Sequence, residues 1–302
     1  MSDALTTAEL YAAAARDTVR ARMAATSLDT EQHVAHGFAW VETAVEALRA
    51  LHAWGARQSG EAEALIVQIG TGETLAQLAG GLPMGQNEFI RPADFGLESH
   101  VPALLAAAQG NTPENRAALV ALLRDGAAIS DALDDDLLDQ VRDQYRRFTD
   151  ARILPHAHGW HLANALIPDD VIAEMAALGT FGVCIPEEFG GLGLGKLVMC
   201  IVTEELSRGW IGTGSLGTRS EIAGELIMLG GTDAQRAHWL PRIASGEILP
   251  TAVFTEPDTG SDMASLQTRA VRTEKGWEIS GAKNWITHAA RTDLMTLMAR
   301  TL

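Results

Sequence analysis

The chain has 302 residues, 47% of them hydrophobic and 21% charged, a length at which a single core rarely keeps growing, so at least two domains are expected. A formal net charge of −16 argues against a nucleic-acid partner, which needs clustered Lys and Arg, but leaves room for a small phosphorylated ligand held by local N–H groups. No apolar run approaches the ~18 residues of a membrane span, and the polar, acidic start MSDALTTAEL lacks the basic–apolar–small pattern of a secretory leader.

Helical signals dominate the first ~130 residues. Thr6 and Glu9 have capping-box spacing ahead of LYAAAARDTVRARM. Asp29 is placed to cap the next helix, where Val34, Phe38, Val41, Val45 and Leu48 recur on one face. EAEALIVQ through LAQLA predicts a third helix, weakened in its middle by Gly70 and Gly72. GGLPMGQNEFIRPADFG reads as a loop, and helices resume at LESHVPALLAAAQG and ENRAALVALLRDG. A domain boundary is expected near Gly126 to Ser130. The acidic patch DALDDDLLDQ then opens a helix running to about Ile153, with acids first and Arg142, Arg146 and Arg147 later, as the helix dipole favours. PDDVIAEMAALG, GKLVMCIVTEELSRGW, TRSEIAGELIMLGG and TDAQRAHWLPRIASG predict four more helices. From Glu247 the pattern turns to strands, with Glu274-Lys275-Gly276 as a hairpin turn.

Two glycine motifs carry little chemistry. GGLGLGKL has P-loop spacing, but Leu197 offers no hydroxyl for Mg²⁺, and the approach IPEEF brings two acids that repel phosphate. GTGSLG matches GxGxxG yet follows a helix rather than a strand, so a helix–helix turn is expected. His156, His158 and His161 cluster around an expected Pro-Gly turn, without the acids of a metal set. Cys184 and Cys200 have apolar neighbours, so two buried free thiols in a reducing, cytoplasmic compartment are expected.

The chemistry concentrates at the end. ILPTAVF runs into TEPDTGSD, which looks like neither a hairpin turn nor a simple stop. Thr255 offers a hydroxyl at the strand end, and DTGSD gathers N–H groups around a Gly that allows close ligand approach, an arrangement suited to phosphate or pyrophosphate. In KNWIT, alternate strand positions would put Trp285 and Thr287 on one face. Two hydroxyls and an indole suit a flat, heteroatom-rich ring such as an isoalloxazine. Equally, Trp285 could be sheet core and both threonines ordinary strand residues.

VCIPEEFGGLGLG, TEELSRG, GTDAQRAHWLPRIASGE, FTEPDTGSD and GAKNWIT, in this order and at these spacings, resemble successive signatures of the acyl-CoA dehydrogenase family. The resemblance covers roughly residues 135 to 302. It implies an α+β fold: a helical N-terminal extension (1–129), the family's N-terminal helical domain (130–246), and the start of an antiparallel middle β domain (247–302), cut short at the C-terminus. It implies FAD as cofactor and an acyl-CoA thioester as substrate. The segment Ala252 to Ser261, with Phe254, Thr255, Gly260 and Ser261, would line the flavin. Thr255 would bond the pyrimidine side, Ser261 would meet pyrophosphate and the CoA chain, and Trp285, Ile286 and Thr287 would lie against the ring near N5. The general base of the family resembles nothing in this sequence and is expected beyond Leu302, in a longer polypeptide of which this chain is a part. Electron-transfer flavoprotein is the implied electron acceptor, and a homodimer or homotetramer the implied assembly.

The extension, together with KNWITHAARTDLMTLMART, is similar to one branch of that family, and this resemblance implies α,β-dehydrogenation of a short branched dicarboxylyl-CoA, (2S)-methylsuccinyl-CoA to mesaconyl-CoA. Arg219 falls by spacing on the helix lining the acyl pocket, where it could bind the free carboxylate bidentately. It could instead pair with Glu221 or Glu225, or face solvent. Glutaryl-CoA or another short-chain thioester is the alternative substrate. A non-catalytic subunit of the same fold, completed by a partner chain, is the alternative of another class.

Overall fold

The computed structural model describes residues 3–301. It divides into two compact units, Met1–Asp131 and Ala132–Leu302.

The first unit is built from α1 (Asp3–Ala25), α2 (Gln32–Gly55), α3 (Glu61–Gly80), a small antiparallel pair β1 (Leu82–Pro83) and β2 (Phe89–Ile90), α4 (Pro92–Phe95), α5 (Val101–Ala107) and α6 (Pro113–Arg124). The helical spacing read on α2 is the buried stripe: Val34, Val41, Val45 and Leu48 enter the core with Tyr11, Leu75, Leu78, Ile90 and Leu104, and Phe38 packs at its margin. Each such aliphatic side chain, fully buried, contributes about 1.5–3 kcal/mol. Local signals fared less well. Thr6 lies inside α1 rather than at its start, and Glu31, not Asp29, occupies the N-cap of α2. α3 runs unbroken through Gly70 and Gly72, because tertiary packing overrides their weak propensity. The stretch expected as a loop folds into the β1–β2 pair and α4.

The second unit begins with α7 (Asp136–Phe148), whose N-cap Asp135 accepts hydrogen bonds from the N–H groups of Leu137 and Leu138. A π turn (Thr149–Ile153) carries the chain directly into α8 (Leu154–Leu162). The three histidines 156, 158 and 161 therefore sit on a helix and not around a turn. Pro155 is tolerated in the first turn of α8, where a missing N–H is harmless. α9 (Asp169–Ala177), α10 (Gly195–Gly209), α11 (Ile211–Gly230) and α12 (Asp233–Ala244) follow. GTGSLG is helix, not turn: Gly214 and Gly217 are buried within α11, where a Cβ on Gly214 would stand 1.9 Å from the Ser207 hydroxyl of α10. The glycines let the two helices approach closely. Cys184 is half-buried and Cys200 is exposed, both as free thiols, so neither reaches the expected buried state. The face of α10 that carries Cys200 borders an open groove.

One core gathers Tyr145, Ile153, Met175, Phe181, Leu206 and Leu216, and a second gathers Ile185, Ala223, Leu240, Ile243 and Ile248, with Leu294 packed against it. Within the helices Glu205, only 2% exposed, is gripped by Arg146 (2.7 Å) and Arg208 (3.1 Å).

The strands are β3 (Pro250–Val253), β4 (Arg269–Thr273), β5 (Gly276–Ser280), β6 (Leu294–Leu297) and β7 (Arg300–Thr301). The β4–β5 hairpin is antiparallel and turns on Glu274-Lys275, with Thr273 paired to Gly276. β3 pairs in parallel with β6, and β4 in parallel with β7. The strand directions are thus mixed within the α+β fold. The long 281–293 connection returns the chain alongside β3, and only a tight turn would force an antiparallel neighbour. Among the described residues, no helix is long and apolar enough to cross a membrane.

Candidate functional site

The segment after β3 is shaped by a tight turn. Glu256 and Thr259 form an antiparallel bridge, with Glu256 N–H donating to the Thr259 carbonyl (2.8 Å) and Thr259 N–H to the Glu256 carbonyl (3.2 Å). Pro257 and Asp258 occupy the two central positions, where proline pre-sets φ. The stretch that looked unlike a hairpin turn is therefore one, and the signal was Pro-Asp in TEPDT. Gly260 and Ser261 follow, both exposed, and a Cβ on Gly260 would meet nothing within 4 Å. The turn thus opens onto free space, as a cradle for a ligand requires.

Beneath it lies a buried ion pair. Lys283 Nζ donates to Glu256 Oε1 (3.0 Å) and to the Phe254 carbonyl (2.7 Å), with the two side chains 9% and 5% exposed. Glu256 also accepts from the N–H of Gln267 (2.6 Å) and of Thr268 (2.9 Å). Hydrogen bonding by Thr268, then by the Gln267 N–H, holds the Glu256 carboxyl down to about 2. A buried carboxylate committed to a lysine and two backbone N–H groups is a poor base for an α-proton. Next to it, Gly281 lies so close to Thr268 that a Cβ there would be 2.3 Å from the Thr268 hydroxyl.

Residues 281–286 are not a strand. The alternation expected to put Trp285 and Thr287 on one face does not hold, because Trp285 adopts a left-handed backbone with φ +58° and His288 another at +65°. Asn284 N–H donates to the Thr255 carbonyl (2.9 Å), which brings KNWIT against the end of β3. Trp285 is not sheet core. Its side chain is 88% exposed, an unusual state for an indole and one that suits a flat partner. Thr287 is exposed, Ile286 half-buried, and the Thr287 carbonyl accepts from the buried Thr251 hydroxyl (2.5 Å). Among the described residues neither the Thr255 nor the Thr287 hydroxyl is engaged by another protein group. Hydrogen bonds from Lys283 to Phe254, from Asn284 to Thr255 and from Thr251 to Thr287 thus tie the 283–287 segment, with Trp285 and Ile286, to β3 and its end, and Gly260 and Ser261 follow on the turn beyond. Phe254 also lines a groove of about 320 Å³ with Leu226 of α11 and Thr296 and Leu297 of β6. An exposed ring, unengaged hydroxyls and an open glycine turn fit a flavin dinucleotide.

Arg219 stands apart, half-buried on α11. Its Nε is buried with no hydrogen-bond partner. Glu221 and Glu225, the carboxylates that could have neutralised it, both pair instead with Lys196. A buried guanidinium nitrogen left unpaired is costly unless an anion joins it. Sequence reasoning missed three residues here. Lys283 was hidden inside KNWIT, Glu256 was read only as part of a loop, and His288, whose Nε2 is buried and without a partner, carried no motif. A lone Lys in an otherwise uncharged apolar stretch was the available signal for the first.

Two family models match consecutive parts of the chain: the acyl-CoA dehydrogenase N-terminal domain over residues 135–247 and the acyl-CoA dehydrogenase middle domain over residues 251–302. The chain is similar to (2S)-methylsuccinyl-CoA dehydrogenase of Cereibacter sphaeroides, with 54% identity over 99% of this chain and 58% of that protein. The chain thus spans less than two thirds of that relative's length. The likeness includes the first unit. Among solved structures, glutaryl-CoA dehydrogenase from Mycobacterium smegmatis superposes with a TM-score of 0.53 and 32% identity over 56% of this chain and 44% of that one. A glutaryl-CoA dehydrogenase from the same organism in complex with FADH2 gives a TM-score of 0.52 and 30% identity over 55% and 43%.

Proposed function

Because the chain belongs to the acyl-CoA dehydrogenase family, we propose that it serves the FAD-dependent α,β-dehydrogenation of a short branched dicarboxylyl-CoA, (2S)-methylsuccinyl-CoA to mesaconyl-CoA. When bound, FAD supplies the hydride acceptor for the β-carbon. The protein supplies the setting. Trp285 offers the ring a face, and the Thr255 and Thr287 hydroxyls offer hydrogen bonds to its heteroatoms. Gly260 and Ser261 give close approach and a hydroxyl to a pyrophosphate. Holding these groups in place before the ligand arrives spares the ordering entropy of binding. None of Glu204, Glu205 and Glu256 serves as the base: Glu205 is gripped by two arginines, Glu256 by Lys283, and Glu204 lies exposed on α10 near Arg142.

The observation that carries the flavin reading is the exposed Trp285 held in a left-handed backbone beside the end of β3. The substrate reading rests on the likeness across the whole chain and on Arg219, whose unpaired Nε would meet the free carboxylate of a dicarboxylic acyl group. The chain organises, on this reading, as a helical extension (1–129), a helical domain (130–246) and a β domain from 247. Electron-transfer flavoprotein would accept the electrons of a cytoplasmic homodimer or homotetramer. The first test is the visible spectrum of the purified full-length enzyme. A yellow protein whose activity is highest with (2S)-methylsuccinyl-CoA, over glutaryl-CoA and butyryl-CoA, supports the reading. A folded but colourless protein that takes up no added FAD ends it.

A further inference from the structure

We propose that Lys283 is a positioning residue for the flavin: through its buried pair with Glu256 it sets the offset between the Thr255 backbone and the Trp285 indole before any cofactor binds. This rests on the flavin reading of the 254–261 turn. Lys283 is neither among the residues that face the open turn nor within reach of a ligand, because its side chain is 9% exposed and its ammonium is spent on the Phe254 carbonyl and Glu256 Oε1. Its importance lies in what it ties together. Consecutive residues hold consecutive carbonyls: Lys283 Nζ binds Phe254 O, and Asn284 N–H binds Thr255 O. Trp285 comes next in the chain. Glu256 extends the same clamp to a third segment through the N–H groups of Gln267 and Thr268. Gly281 closes against that segment at a distance no Cβ would tolerate.

The physical need for a clamp is plain. The 281–286 segment has no ladder partner, and Trp285 sits at φ +58°, a conformation disfavoured for a large side chain. An 88% exposed indole gains nothing from the core to hold it there. A buried ion pair whose carboxylate also accepts two backbone N–H groups is rigid, and it fixes geometry more than it adds stability. An aliphatic residue at 283 could donate to neither the Phe254 carbonyl nor the Glu256 carboxylate. Arg219 and Glu205 show the two other outcomes for a buried charge in the same unit: one is unpaired and the other locks helix to helix.

The test uses the full-length enzyme stripped of FAD and then titrated with FAD. Lys283→Met alone leaves Glu256 buried without its cation and destabilises the fold, so the deciding variant is the double Lys283→Met/Glu256→Gln, which removes both charges. The double variant should melt near the wild type when FAD-free, yet bind FAD about 30-fold more weakly, with an altered visible circular-dichroism band of the bound flavin. An FAD affinity within about 3-fold of wild type would show that the pair only supports the fold. A second measurement needs no variant. In FAD-free wild type, the amides of Gln267, Thr268 and Asn284 should already be protected from hydrogen exchange and change little when FAD is added. Fast exchange that slows only with FAD would overturn pre-organisation by Lys283. Wild-type enzyme that binds no FAD at all would instead end the flavin reading, and leave the protected amides as a purely structural finding.

Discussion

Two parts of the second unit treat polar groups in opposite ways. Among the helices 136–244 the buried charge turns inward and is matched: Glu205 is held by Arg146 and Arg208, and Arg208 reaches on to Asp150. In the strand region from 250 onward, the buried pair of Lys283 with Glu256 lies beside a surface on which, among the described residues, an exposed indole and two hydroxyls are left without protein partners. The difference separates scaffold from site. A scaffold satisfies its polar groups, because an unsatisfied one costs about 1–3 kcal/mol. A site withholds some of them for a ligand. Arg219 departs from this pattern on a scaffold helix, its Nε buried without a partner, as are the hydroxyls of Thr149 and Ser220.

The contrast can be broken at several points. The largest effect is expected from Glu205→Ala, which leaves two guanidiniums without their carboxylate. Because both are nearly 40% exposed, the loss should be about 3 kcal/mol, at the low end for a buried pair. Chemical denaturation would read it, and the flavin spectrum of the surviving folded enzyme should be unchanged. A shifted spectrum would mean that the helices and the site are not separable. Next comes Arg219→Ala, expected to raise KM for the dicarboxylyl-CoA about 100-fold while altering that for butyryl-CoA only slightly. Equal losses for both substrates would return Arg219 to the scaffold.

Trp285→Ala tests the site side. It should weaken FAD binding about 10-fold and leave the melting of the FAD-free protein untouched, since an indole so exposed supports no core. A lowered melting temperature without a change in FAD affinity would make it scaffold after all. The smallest effect concerns pH. The folded-state pKa of Glu256, about 2, lies below the ~4.3 of an unperturbed glutamate. Its contribution to stability is therefore present above about pH 4.3 and is lost as pH falls toward 2. The melting difference between wild type and Glu256→Gln should shrink across that window and stay constant from pH 5 to 7. A difference that does not depend on pH would show that the carboxylate is not held as the hydrogen bonds imply.

Much of this was legible in the chain itself. The stripe on α2, most of the helices and strands in their order and the Glu274-Lys275 turn follow from local periodicity and short motifs, because these depend on neighbours in sequence. The misreadings share a cause. The glycines of α11 looked like a turn because propensity is local, whereas the close packing that makes them helical is not. Trp285 and Thr287 were placed on a strand because alternation was assumed to continue past Gly281, and nothing local announces a left-handed tryptophan.

The sequence by itself determined the family signatures, the helical face that builds the first core, and which residue types stand ready for a flat, phosphorylated ligand. Only the tertiary structure decided that Glu256 is buried against Lys283, that Lys283 binds Phe254 and Glu256 across 29 and 27 residues of chain, and that Arg219 lacks the acids next to it. The reason is that a charge acquires its role from what surrounds it once water is excluded, and that environment is assembled from segments far apart in sequence.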